Sequence, residues 1–184
     1  FGLEREKECG ELVKKYGGTK VLIHYGGGSA VRSGLIDRVK ASLDAAGIAH
    51  VELGGVKPNP RDSLIYKGIE MVRANGIDFI LAVGGGSTID SSKGIAVGAL
   101  YDGDFWDFYA HKLPVTKALS IGVVQTIAAA GSEGSGDSVV TKEEGMLKRD
   151  IGADEIRPKF AVQNPALQCT LPPYQTACGI TDIM

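Results

Sequence analysis

The 184-residue sequence contains little cysteine and no long apolar run. Its three cysteines, Cys9, Cys169 and Cys178, are too few and too irregularly spaced for a disulfide framework or a CxxC zinc site, and we expect reduced, mostly buried thiols. Apolar runs such as residues 79–83 are far shorter than the ~20 residues that span a bilayer, and the N-terminal sequence FGLEREKECG lacks the apolar core of a signal peptide. We therefore expect a cytoplasmic protein with no membrane partner.

Blocks of like charge are also absent from the sequence. Lys and Arg total 20 against 22 Asp and Glu, a net charge of -2, and the two signs are mixed along the chain. No nucleic-acid partner is indicated. Hydrophobic residues make up 43% and charged residues 23%, values typical of a globular protein and not of a disordered chain or a coiled coil. The length fits one domain and the start of another.

Glycine is the residue type in excess: 26 of the 184 residues are glycine, about twice the ~7% of an average protein. Two clusters, at residues 26–28 and 84–86, each follow a short apolar run and precede a pattern of helical periodicity. Alternation of strand and helix predicts an α/β fold, a doubly wound parallel sheet with helices on both faces. The expected helices cover 4–16, 31–43, 63–75, 87–100 and the segment after 171; the expected strands cover 20–25, 48–53, 77–83, 118–124 and 159–164, with a hairpin at 138–141 and 147–153.

The two glycine clusters are candidate phosphate sites. A strand-to-helix turn presents free backbone N–H groups and the positive end of the helix dipole. The second cluster, GGGSTIDSSK, adds Ser87, Asp90 as a capping-box partner and Lys93 one turn later. Neither cluster is a GxGxxG fingerprint, and no P-loop sequence occurs. A purely structural turn remains the alternative, although two such turns in one open sheet favour a ligand.

The residues indicate neither a histidine metal site nor a catalytic nucleophile. His24, His50 and His111 show no metal-ligand spacing, and Ser132 in GSEG is not a nucleophile elbow, so no catalytic residue is assigned. The aromatic segment FWDFY at 105–109 fits either a substrate wall or side chains packed under a loop, and packing is favoured.

The sequence resembles the iron-containing alcohol dehydrogenases, in particular the butanol dehydrogenase and aldehyde reductase branch. The resemblance covers essentially the whole chain. It is carried by five ordered motifs: YGGGSAVRSGLIDRV (25–39), GGVKPNP (54–60), LAVGGGSTIDSSKGIA (81–96), TIAAAGSEGSGDSVVT (126–141) and LPPYQTACGITDIM (171–184).

This resemblance implies a dinucleotide-binding domain like the N-terminal domain of dehydroquinate synthase, at residues 1–170. Residues 171–184 would begin an all-helical metal-binding domain that is not in this chain. The cofactor-binding residues that it implies are Gly26, Gly27, Gly28, Ser29, Asn59, Gly84, Gly85, Gly86, Ser87, Asp90, Thr126, Ser132 and Lys148, with Pro60 beside Asn59. One departure is Ala130, which stands where the family pattern T-x-P-A-T-G-S-E has a threonine, so this position lacks the hydroxyl that the resemblance would offer to the cofactor.

The residues of the first glycine turn indicate which cofactor is preferred. An acidic residue after the first strand would accept the ribose hydroxyls of NAD and repel a 2′-phosphate. Here Gly26–Gly28 and Ser29 supply N–H groups and a hydroxyl, and Arg32 follows one turn later, as in family members that prefer NADP(H). We expect NADP(H) to be preferred and NAD(H) to be possible; Arg32 as an ordinary solvated residue is the alternative.

Metal binding is implied only at Asp182, in Gly179-Ile180-Thr181-Asp182, the place of the first metal ligand of the family. One carboxylate cannot hold a transition metal, so Fe²⁺ or Zn²⁺ in the complete enzyme would need histidine ligands beyond residue 184.

The expected function is therefore metal-dependent hydride transfer between NADP(H) and a primary alcohol or aldehyde, in a homodimer. Two alternatives stay open. The chain could be a nucleotide-binding module without catalysis of its own, or a relative of the glycerol dehydrogenases, which share the fold.

Overall fold

The computed structural model describes all 184 residues, Phe1–Met184, and has a five-stranded parallel sheet at its centre. The strands are β1 (Lys20–Tyr25), β2 (Ala49–Leu53), β3 (Phe79–Gly84), β4 (Ser120–Gln125), β5 (Asp137–Lys142), β6 (Leu147–Gly152) and β7 (Phe160–Gln163). Their order in the main sheet is β2-β1-β3-β4-β7, and β5 and β6 form a separate antiparallel pair. All five strands of the main sheet end at the same edge, which therefore collects their loops.

Helices cover both faces of this sheet and confirm the doubly wound α/β prediction. They are α1 (Cys9–Lys15), α2 (Gly28–Arg32), α3 (Leu35–Ala45), α4 (Asp62–Asn75), α5 (Gly86–Ala99), α6 (Trp106–Tyr109) and α7 (Pro173–Ile183), with short 3-10 helices at Arg5–Glu8, Glu144–Met146, Asp154–Ile156 and Pro165–Gln168. Two apolar clusters fill the layers. Ile80 faces the cluster with α4 and α5, whereas Leu81 faces the cluster with α1 and α3, as alternation along a strand requires.

Two predicted helices differ from those observed. The segment 4–16 begins as a 3-10 helix, and α-helical bonding starts only at Cys9. The helix predicted over 31–43 is two helices, α2 and α3, because Gly34 adopts a left-handed conformation with φ of 68° and breaks the chain between them. The strand predicted from residue 77 begins at Phe79.

The aromatic segment is part of the core. Phe105, Trp106, Phe108 and Tyr109 are at most 7% exposed, and the rings of Trp106 and Tyr109 stack 5.5 Å apart. These side chains fill the layer between α5 and the β5–β6 pair. The packing interpretation is confirmed, and none of these side chains lines the three best-formed cavities.

The expectation of mostly buried cysteines is wrong for two of the three. Cys9 is fully buried against α3, and burial raises the pKa of its thiol to about 12. Cys169 is exposed and Cys178 is half-buried; Cys169 follows the 3-10 helix Pro165–Gln168, and Cys178 lies on α7. All three thiols are unpaired.

The structure has no helix with the length and apolar character needed to cross a membrane.

Candidate functional site

The two glycine turns lie side by side at the strand-end edge of the sheet. β1 and β3 are hydrogen-bonded neighbours, so the turns that follow them are adjacent. A Cβ atom placed on Gly26 would lie 3.5 Å from the hydroxyl oxygen of Thr88, in the first turn of the helix α5 that follows the second glycine cluster. Gly27 and Gly86 both face open space, with no atom within 4 Å of an added Cβ. The two turns predicted from the sequence are therefore adjacent, and we call the open space beside Gly27 and Gly86 the groove.

The second turn delivers the N-terminus of α5 to this groove. Gly85 is the N-cap, and its carbonyl accepts the N–H groups of Thr88 and Ile89. The N–H groups of Gly86 and Ser87 precede the first intrahelical bonds and are free to bind an anion. Gly84 is required by close packing, because a Cβ there would approach the Thr88 Cβ to 2.8 Å. These contacts fit a phosphate group.

The predicted capping role of Asp90 is wrong. The N-cap is Gly85, so the capping-box position is Thr88, and α5 has no side-chain cap. Asp90 lies two residues after Thr88 and uses both of its carboxylate oxygens within the protein. Oδ1 accepts the Ser132 hydroxyl at 2.7 Å, and Oδ2 accepts the Val139 N–H at 3.2 Å. Burial raises the pKa of the Asp90 carboxyl, which these hydrogen bonds oppose only in part.

The first turn carries no carboxylate. Gly27, Gly28 and Ser29 are exposed, and the Arg32 guanidinium lies over Gly28, where an added Cβ would collide with it. The acidic residue near the end of the neighbouring strand β2 is Glu52. Its carboxylate is paired with Lys40 at 2.6 Å.

The loop after β4 runs from the groove to a cavity beside α7. Thr126 donates its N–H to the Gly84 carbonyl at 3.0 Å, which places it against the second turn. Further along this loop, Ala130 and Glu133 line a cavity of about 480 Å³, and the side of that cavity formed by α7 includes Asp182. The position of the replaced threonine, Ala130, is exposed at this cavity.

Asn59 and Lys148 form a separate pair. Lys148 Nζ donates to Asn59 Oδ1 at 2.8 Å, and Asn59 adopts a left-handed conformation with φ of 55°. The loop that carries Asn59 is fixed to β5, where the Thr141 N–H donates to the Pro60 carbonyl at 2.9 Å. Thus the structure places both residues at the hairpin, apart from the group that surrounds the Gly84–Ser87 turn.

Sequence reasoning missed a glutamine pair at the same edge of the sheet. Gln125 and Gln163 end the neighbouring strands β4 and β7, and Gln163 Nε2 donates to Gln125 Oε1 at 2.9 Å and to Glu133 Oε1 at 3.4 Å. Both amides line the cavity beside Asp182. The signal available in the sequence was their position as the polar last residue of two apolar strands.

The residues present do not fit a metal ion. Asp182 is exposed, and no group of three His, Cys, Asp or Glu side chains in the structure could hold one. His24 is committed elsewhere: Nδ1–H donates to the Leu53 carbonyl at 2.8 Å, so Nε2 accepts from the Ser91 hydroxyl at 2.8 Å. Burial lowers the pKa of His24 to about 4, which keeps the ring neutral. This side chain joins β1, β2 and α5.

Comparisons with known proteins agree with this architecture. The family model for iron-containing alcohol dehydrogenase matches residues 1–165. The NADH-dependent butanol dehydrogenase A of Clostridium acetobutylicum is 47% identical over 184 residues, which is 100% of this chain and 47% of that protein. The NADPH-dependent aldehyde reductase YqhD of Escherichia coli is 35% identical over 166 residues, covering 89% of this chain and 42% of that protein.

The solved structures lead to the same assignment. The crystal structure of NADH-dependent butanol dehydrogenase A from Thermotoga maritima superposes with a TM-score of 0.96 and 42% identity, covering 99% of this chain and 46% of that chain. This chain therefore spans about half the length of the curated relatives that it matches. With a family match over residues 1–165 and this degree of identity, the chain belongs to the iron-containing alcohol dehydrogenase family.

Proposed function

We propose that the protein transfers a hydride between NADP(H) and a primary alcohol or aldehyde, and that this chain binds the nucleotide. The observation that carries the proposal is that the two glycine turns are adjacent at the ends of the paired strands β1 and β3. A dinucleotide crosses adjacent strand ends in open α/β sheets, with its pyrophosphate at a helix N-terminus. The butanol dehydrogenases and the aldehyde reductase among the relatives are named for this reaction class.

In this proposal the second turn binds the pyrophosphate. The free N–H groups of Gly86 and Ser87 donate to the phosphate oxygens, and the missing side chain at Gly86 lets the phosphate approach the backbone. Thr126 extends the site from the pyrophosphate turn along the loop after β4. Asn59 and Lys148 add a hydrogen-bonding cation at the hairpin side. When bound, the nicotinamide ring supplies the hydride chemistry.

We propose a preference for NADP(H) over NAD(H) from the charges around the first turn. A 2′-phosphate at Gly27–Ser29 would face backbone N–H groups, a hydroxyl and the Arg32 guanidinium. The Glu52 carboxylate is neutralised by Lys40, so its repulsion of a phosphate is weakened. The names of the relatives divide between NADH and NADPH, so this preference rests on the charges of the site itself.

The proposal includes a metal ion, and this chain would supply only one of its ligands. Asp182 would be one ligand of Fe²⁺ or Zn²⁺, facing the cavity that borders the loop after β4. The other ligands would come from residues outside these 184, in a helical domain that begins near residue 171. A homodimer is proposed on the resemblance to the family.

The test is a titration of NADPH and NADH into the wild-type protein, followed by the fluorescence of the bound dihydronicotinamide. Saturable binding with tighter NADPH affinity supports both parts of the proposal. Tighter binding of NADH would overturn the NADP(H) preference, and binding of neither would overturn the nucleotide site. Oxidation of butan-1-ol by the metal-loaded full-length protein then tests the reaction class.

A further inference from the structure

Lys93 is a fully buried lysine on the side of α5 that faces the loop after β4. Its side chain is 0% exposed, and its Nζ donates to the backbone carbonyls of Ser132 at 2.8 Å, Ser135 at 3.0 Å and Asp137 at 2.6 Å. It also contacts the hydroxyl oxygens of Ser132 at 3.1 Å and Ser135 at 3.5 Å. A buried ammonium group has three N–H donors and needs an acceptor for each, because an unmet N–H would carry a desolvation cost; the three carbonyls meet this need.

These five oxygens come from one short segment, residues 132–137. We call these five oxygens the carbonyl cage. Three of them are backbone carbonyls, so the cage depends on the path of the chain more than on its side chains. The Ser132 hydroxyl, which receives from Lys93, donates in turn to Asp90. Lys93 and Asp90 thus hold the segment through two positions of the same helix, one turn apart.

The other side of this loop faces the candidate site. Ala130, Gly131 and Glu133 line the cavity that contains Asp182, whereas Ser132 between them points back to Lys93. The helix that carries Lys93 is also the helix whose N-terminus forms the pyrophosphate turn. One rigid element therefore fixes both the turn and the loop.

We propose that Lys93 is a positioning residue that sets the loop 126–133 relative to the Gly84–Ser87 turn, so that the reactive end of a bound nucleotide meets the cavity beside Asp182. This inference rests on the proposed function. Lys93 touches neither nucleotide nor substrate, and it acts through the carbonyl cage. We therefore expect that removing the ammonium group weakens the binding of the nicotinamide end of the cofactor and leaves the binding of the adenine end nearly unchanged.

The experiment compares the wild-type full-length protein with Lys93→Met, which keeps the side-chain length and removes the charge, and with Lys14→Met on the exposed face of α1 as the control. Amide hydrogen exchange is followed across 130–139 without nucleotide. Affinities are then measured for NADPH and for 2′-phospho-ADP-ribose, which lacks the nicotinamide. For Lys93→Met we expect exchange at least tenfold faster in this segment, NADPH binding at least tenfold weaker and fragment binding within threefold of wild type.

Wild-type exchange together with an unchanged ratio of the two affinities in Lys93→Met would overturn the proposal. If the wild-type protein binds neither ligand, the proposed function fails, and the exchange data still decide whether Lys93 fixes the loop. If Lys93→Met does not fold, the melting temperature of Lys93→Ala is measured in the presence of propylammonium, which has three N–H donors, and of tetramethylammonium, which has none. A selective rise in melting temperature with propylammonium supports the cage, and an equal response to both ions overturns it.

Discussion

Gln163 at the end of β7 donates a 2.9 Å hydrogen bond to Oε1 of Gln125 at the end of β4. Gln125 is 3% exposed, and Gln163 is the side-chain donor to its oxygen in the folded protein. This pair forms a polar floor under the cavity beside Asp182 and joins the last two strands of the sheet at their carboxyl ends.

Gln163→Ala should therefore lower the free energy of unfolding by about 0.5–1.5 kcal/mol, the net contribution of one hydrogen bond, because water in the cavity can reach the freed Gln125 oxygen. Urea unfolding of both proteins measures this difference. Gln175→Ala on the exposed face of α7 is the matched control and should change stability by less than ~0.5 kcal/mol. Equal effects of the two substitutions would show that the buried bond contributes nothing.

Gly86→Ala should leave the fold intact and weaken nucleotide binding. The added methyl group meets no protein atom within 4 Å, and residue 86 is helical, so stability should be kept. A pyrophosphate that approaches the backbone there would meet the methyl group, and we expect at least a tenfold loss of NADPH affinity. The exposed loop substitution Gly134→Ala is the control; unchanged affinity in Gly86→Ala would place the phosphate elsewhere.

Gly27→Asp should reduce NADPH affinity more than NADH affinity. Gly27 is exposed and its surroundings are open, so the new side chain fits, and its carboxylate would face the 2′-phosphate. The expected loss for NADPH is on the order of 1–3 kcal/mol, which is about 5- to 150-fold. Gly27→Asn has the same shape without the charge and should lose far less. Equal losses in the two variants would point to a steric effect.

The buried neutral His24 should make stability depend on pH. Its pKa in the folded state is about 4, below the ~6.5 of an unfolded chain. Between these values the unfolded state binds more protons, so stability is fully present above pH 6.5 and falls as the pH drops toward 4, by up to ~1.4 kcal/mol per pH unit. Urea unfolding from pH 4.5 to 7.5 measures this slope. It should be shallower in His24→Gln and unchanged in the exposed control His111→Gln; an identical slope in His24→Gln contradicts the assignment.

Asp182 should not give this 184-residue chain a metal site. Asp182→Ala should change the affinity for Zn²⁺ no more than Glu70→Ala, because each removes one exposed carboxylate. In the full-length protein the two should separate: Asp182→Ala abolishes turnover and leaves NADPH affinity within a few-fold, whereas Glu70→Ala is silent. Calorimetric Zn²⁺ titration and steady-state rates are the measurements. Full activity of Asp182→Ala would falsify its role as a ligand.

The sheet could be predicted from the sequence because its strands are short, apolar and bounded by glycine or polar residues. β3 is buried along its whole length, and its apolar run in the sequence reflects this directly. The break at Gly34 was not predicted, because the apolar positions of α2 and α3 continue with helical spacing across it. The capping role given to Asp90 failed because the N-cap was placed at Ser87, two residues after the observed N-cap Gly85.

The candidate site was predicted less completely than the fold. Glycine turns can be recognised because their conformation depends on local sequence. The contacts of Lys93 with the segment 132–137 and of Gln125 with Gln163 join positions about 40 residues apart, and no local pattern reports them. Long-range polar contacts of this kind follow from the strand order and from which face of a helix meets which loop.

The separate hairpin has a consequence for self-association. β6 pairs only with β5, so its outer edge leaves backbone N–H and C=O groups unpaired, as at any strand edge. Along this strand every residue except Ile151 is exposed, and Lys148, Arg149 and Asp150 follow one another in its middle. Three consecutive charges must be desolvated before a second strand can add to this edge. The β6 edge is thereby protected against the strand-to-strand stacking that initiates aggregation.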